Sequence, residues 1–127
     1  MRIALDTNAY SDAAKGAPHA AAILRSADEI CVPFIVLAEL RAGFALGTRG
    51  KKNEASLISF LNSSRVRPLW ADEQTTHHYA SVFSGLKKLG KPIPTNDLWI
   101  AALVIQHDLV LFSSDAHFNL IVQIPRI

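Results

Sequence analysis

Sulfur is nearly missing from this sequence of 127 residues, in which Cys31 is the single cysteine. One thiol excludes an internal disulfide and fits a reducing compartment. In "EICVPF" it reads as a small buried hydrophobe, not a nucleophile. Long apolar runs are missing too. "MRIALDTNAY" offers three apolar residues before Asp6, too few for a signal peptide, and the longest apolar stretch, "LWIAALVI", is well short of a bilayer span. The expectation is a soluble, cytoplasmic chain with no membrane partner. There is no excess of one charge: 13 Lys and Arg against 11 Asp and Glu leave +2. That balance permits a nucleic-acid partner without arguing for one. Repeats, low-complexity segments and linkers are absent, so residues 1–127 are expected to form one domain.

Familiar catalytic signatures are absent as well. There is no Gly-x-Ser-x-Gly elbow and no His-Glu-x-x-His. "GLKKLGKP", Gly85 to Pro92, imitates a Walker A loop, but Pro stands where Ser or Thr should hold Mg²⁺, and the segment follows a helix instead of a strand. His77 and His78 are adjacent on a helix and so do not share a face; they read as a solvated or half-buried pair. His117 reads as a turn histidine packing near Phe118, with a contact to substrate phosphate as the lesser reading. Trp70 and Trp99 are expected in the core. The basic clusters Arg41, Arg49, Lys51, Lys52 and Lys87, Lys88, Lys91 read as solvated helix ends, or as phosphate contacts if they flank a site.

What is present is an ordinary globular composition, half apolar and about a fifth charged. Short β-like runs stand at "RIALD", "EICVP", "VRPLW", "LVLFSS" and "LIVQI". Helical patterns lie between them at "APHAAAILRSA", "PFIVLAELRAGFALG", "KKNEASLISFLNSS", "DEQTTHHYASVFSGLKKLG" and "NDLWIAALVIQH". This alternation predicts an α/β fold with a mostly parallel sheet and right-handed crossovers. Ligands of such sheets bind beyond the carboxyl ends of the strands.

Four acids fall in suggestive places. Asp6 ends the first strand, and Asp115 follows "LVLFSS". Asp97 opens an apolar helix whose same face carries Ile100 and Ala101. Glu39 sits among Ile35, Val36, Ala42 and Gly43. Each has a local explanation: an Asx turn or helix cap for Asp6, a first-turn acid behind a Thr95 cap for Asp97, a turn for Asp115. For Glu39 a distant arginine is as good a reading as any other. Together, four carboxylates meeting at one edge would repel without a cation. Hard oxygen donors with no His or Cys cluster suit Mg²⁺, with Mn²⁺ able to substitute. That is the chemistry of metal-dependent phosphodiester hydrolysis.

The blocks "IALDTNAY", "LAELRAG", "IPTNDLWIAA" and "LFSSDAHF", in this order across nearly the whole chain, resemble the PIN domain, and most closely its VapC-type toxin ribonucleases. The resemblance implies a three-layer α/β/α sandwich and Mg²⁺-dependent endoribonuclease action by a metal-activated water. It also implies a homodimer and a cognate antitoxin whose tail occupies a groove near the acids. Carried over, Asp6 and Asp97 match the principal metal-binding aspartates, and Glu39 and Asp115 complete the quartet. Thr7, Asn8, Asn96 and Ser114 match positions that orient the ligands. Two positions depart from the pattern: Val36 stands where a Ser or Thr is frequent, and His117 where an acid is. The rivals are a receiver-like Mg²⁺-binding signalling domain, whose acidic pair after the first strand is absent here, and a catalytically silent metal- or RNA-binding module.

Overall fold

In a computed structural model covering residues 1–127, the apolar β-like runs become strands β1 (Arg2–Leu5), β2 (Glu29–Pro33), β3 (Val66–Leu69) and β4 (Val110–Phe112). All pair in parallel, in the order β3-β2-β1-β4. Ile3, Ala4 and Leu5, with Ile30, Cys31 and Val32, are buried, as expected of parallel strands covered on both faces. The register sets Ala4 beside Cys31 on one side and Leu111 on the other.

Six helices, α1 (Thr7–Ala14), α2 (Pro18–Ser26), α3 (Phe34–Leu46), α4 (Gly50–Leu61), α5 (Glu73–Lys88) and α6 (Thr95–Gln106), complete a three-layer α/β/α sandwich. On one side α1 packs on α2 and α3, and α3 on α4; α5 and α6 pack on each other. Pro18 starts α2, where its missing N–H costs nothing. Asp72 and Thr75 cap α5 reciprocally, and Lys87 and Lys88 close it against the helix dipole. No helix is long and apolar enough to cross a membrane.

Four local expectations are corrected. "LIVQI", Leu120 to Ile124, is not a strand: a 3₁₀ helix over Ala116–Leu120 ends at its first residue, turns and a bend follow, and only a bridge between Leu111 and Arg126 extends the sheet. The reason is period. Phe118, Ile121 and Ile124 are buried while Val122 is 93% exposed, a spacing of three and not two. Helix α1, for which no helical pattern was read, forms over Thr7–Ala14, with Asp6 in the capping role considered for it. Thr95 does not cap α6; Pro94 holds the boundary and Thr95 is the first helical residue. Trp70 is 62% exposed rather than core, whereas Trp99 is half-buried against Tyr79, ring centroids 4.4 Å apart.

Candidate metal centre

The sheet order reverses at β1. The chain runs outward from β1 to β2 and β3, then returns to β1's free side with β4. The crevice at the carboxyl ends of β1 and β4 is therefore the switch point at which open α/β sheets bind ligands. Asp6 is the residue after β1, and Ser113 to Asp115 follow β4. The α6 amino terminus delivers Asp97 to the same edge, and α3 presents Glu39.

Asp6 is 5% exposed, and each of its carboxylate oxygens accepts a hydrogen bond. Its Oδ1 accepts from the Ala9 N–H at 2.8 Å, capping α1, and its Oδ2 accepts from the Ser113 hydroxyl. That hydroxyl also accepts from the Asp115 N–H at 3.0 Å, so one serine ties the ends of β1 and β4 together. The Thr7 hydroxyl donates to Glu39 Oε1 at 2.8 Å. The distant arginine considered for Glu39 is not there: Arg41 pairs instead with Glu54, Nε to Oε1 2.9 Å. His117 Nδ1 lies 2.9 Å from Asp97 Oδ2 and 3.2 Å from Asp115 Oδ1. The 3₁₀ turn that carries His117 is held by Arg126, which donates to the carbonyls of Ser113 (2.8 Å) and Asp115 (3.0 Å) and to Asn119.

None of the four acids is paired with a lysine or arginine; His117 is their sole basic neighbour. Desolvation pushes the Asp6 carboxyl above its ordinary range despite the Ser113 and Ala9 hydrogen bonds, and the charges of Asp115 and Glu39 add to the rise. Asp97 is raised by burial first; the His117 contact opposes this, and Asp115 and Glu39 push it up further. Donor atoms of Asp97, Asp115 and His117 all lie within 4.8 Å of one another. A set of partly buried carboxylates that raise one another's pKa and have no lysine or arginine partner fits a divalent cation.

The structure brings Asp6, Glu39, Asp97 and Asp115 to one edge, with Thr7 supporting Glu39. It does not involve Asn8, Asn96 or Ser114 in hydrogen bonds there; all three are exposed. The serine that reaches the acids is Ser113, one residue before the one expected. His117 is no mere turn residue packing near Phe118, and Arg126 was unforeseen. The proximity of His117 to Asp115 in sequence was a signal for the first; nothing local signalled the second.

Fold and site together define a parallel α/β domain with an acidic, cation-fitted centre at its topological switch. The chain belongs to the PIN domain family, whose profile matches residues 3–122. It is 37% identical over 86 residues to "Ribonuclease VapC1" of Haemophilus influenzae (strain R2866), a match covering 68% of this chain and 63% of that relative. It is 34% identical over 124 residues to "Toxin FitB" of Neisseria gonorrhoeae, covering 89% of this chain and 87% of the relative. The structure of VapBC-1 from nontypeable Haemophilus influenzae superposes with a TM-score of 0.88 at 29% identity, over 100% of this chain and 97% of that one. The receiver-like alternative loses its footing on topology, since a flavodoxin-like sheet runs 2-1-3-4-5 and this one runs 3-2-1-4.

Proposed function

We propose that this chain is a divalent-metal-dependent endoribonuclease and the toxin half of a toxin–antitoxin pair, acting in the cytoplasm with Mg²⁺, or Mn²⁺ in its place. The observation that carries the reading is the convergence of four carboxylates from four elements with no lysine or arginine among them. A divalent ion at such a centre polarises a phosphoryl oxygen and lowers the pKa of water. Asp6, Asp97 and Asp115 would hold the ion, and Glu39, fixed by Thr7, would orient a water beside it or help hold a second ion. Ser113 aligns Asp6 with the Asp115 backbone. Asn8, Asn96 and Ser114, exposed and adjacent in sequence to Thr7, Asp97 and Asp115, are assigned the ligand-orienting role that the PIN resemblance implies for them. RNA as substrate is supported by the name of the ribonuclease relative, and the toxin role by that of the toxin relative.

The decisive assay is cleavage of RNA by the wild type, Asp6→Ala and Asp97→Ala, with and without EDTA. Both substitutions and the chelator are expected to abolish cleavage, and the wild-type products to carry 5′-phosphate and 3′-hydroxyl ends. Persistent cleavage by both variants would overturn the mechanism. Mn²⁺ binding with RNA left whole would favour the silent module.

The antitoxin tail is assigned to a groove of about 620 Å³ between α1, α3 and α4. Tyr10, Leu40, Phe44 and Phe60 form its apolar floor, and Lys15, Arg49 and Lys52 its basic rim, which suits an amphipathic segment with acidic flanks. The homodimer is supported by the exposed Phe83 and Leu89 of the α5 end, and sedimentation of the wild type against Phe83→Lys tests it.

A further inference from the structure

We infer that His117 is a direct ligand of the cation centre and that its imidazole nitrogen shifts the centre's preference from Mg²⁺ toward first-row transition ions. The inference rests on the metal-centre reading proposed above, and extends it to a residue at which the PIN resemblance leads one to expect an acid.

Three observations carry it. His117 Nδ1 stands 2.9 Å from Asp97 Oδ2 and 3.2 Å from Asp115 Oδ1. Donors at right angles on an ion with bonds of about 2.1 Å stand about 3 Å apart, so this spacing matches neighbouring positions of one octahedral shell. The residue's main chain is also fixed: the His117 backbone N–H donates to Asp115 Oδ1 at 2.9 Å, and the adjacent Phe118 is buried, so the turn that carries the ring is anchored on the acid it faces. Finally, the imidazole is 48% exposed while Asp97 is 17% exposed, which leaves one side open for water and substrate oxygens.

Donor chemistry supplies the consequence. Carboxylate and water suit Mg²⁺, whereas neutral imidazole suits Fe, Ni, Cu and Zn, and affinity for a nitrogen-containing site climbs from Mn²⁺ through Co²⁺. An aspartate at position 117 would keep the shell all-oxygen; histidine makes it mixed. The competing arrangement is an imidazole that bridges the two carboxylates by hydrogen bonds and swings aside when an ion enters.

Pulsed EPR of the full chain loaded with Mn²⁺ separates the two. The inference expects ¹⁴N coupling in the wild type, lost in His117→Gln, and a ratio of Co²⁺ to Mg²⁺ affinity that falls about tenfold or more in that variant. Circular dichroism confirms that the exposed substitution leaves the fold unchanged. Mn²⁺ bound through Asp97, as shown by its loss in Asp97→Asn, but without nitrogen coupling, overturns the role of His117 and leaves the metal centre standing. Coupling that persists in His117→Gln also overturns it. Failure of the wild type to bind Mn²⁺ removes the metal centre and this ligand together.

Discussion

Asp97 and Asp6 are carboxyls that burial and like charge push toward the neutral form. The sign of the effect on stability follows. A carboxyl whose folded pKa is raised destabilises the fold when ionised; this penalty is complete above the raised pKa and vanishes below the unfolded one. Asp97→Asn is therefore expected to hold or raise the melting temperature of the metal-free chain at neutral pH while abolishing cleavage. Calorimetry with added Mn²⁺ should stabilise the wild type by about 2.7 kcal/mol at a hundred times Kd and leave the variant unmoved. A variant that melts lower would show that Asp97 is held by a stabilising partner. Asp6→Ala behaves differently because Asp6 also caps α1, so it should cost about 1 kcal/mol besides activity. Since ions bind the ionised carboxyls, Mn²⁺ affinity should begin to fall at a pH above the ordinary carboxylate range as acid is added, readable by titration calorimetry. These acids were legible because charge interrupts apolar runs. The choice between Ser113 and Ser114 was not, since adjacent hydroxyls point apart and the turn decides which one faces inward.

Among the elements, the two edges of the sheet contrast. At the amino edge Glu29 accepts from Arg2 Nε at 2.8 Å and from Arg67, and these guanidinium hydrogen bonds hold its carboxyl down at about 2. One side chain thereby links the amino-terminal ends of β1, β2 and β3. A depressed pKa contributes stability above the unfolded value of 4.5, and that contribution disappears as pH falls toward about 2. The urea midpoints of the wild type and Glu29→Gln should accordingly differ at neutral pH and converge across that window. Equal midpoints at neutral pH would dismiss the clamp. At the carboxyl edge the turn after β4 depends on Arg126, and Arg126→Ala is expected to lower cleavage by about 10- to 100-fold without touching an acid. Most elements could be read from their period, because amphipathic helices and doubly covered strands leave distinct patterns. Helix α1 was too short to show one. The segment after Asp115 misled because a β-rich composition hid a spacing of three.

The whole molecule was the least legible scale. A strand covered on both faces is apolar throughout, so nothing in "LVLFSS" says that it lies beside β1 and not beside β3. Cys31 offers a probe of that assembled state. It is buried in β2, and desolvation pushes its thiol up to about 11, so iodoacetamide should spare the native chain and label it only across the global urea transition. Labelling that precedes the transition would reveal local opening of the sheet. The Ser113–Asp6 hydrogen bond spans 107 positions of sequence, and this separation has a consequence for synthesis. A nascent chain that has left the ribosome only through α6 holds Asp6, Glu39 and Asp97 but lacks the strand and turn that close the edge. The acidic edge is therefore incomplete until β4 and the turn after it have emerged, so an RNA-cutting activity of the kind proposed is withheld until the chain has been made through Asp115.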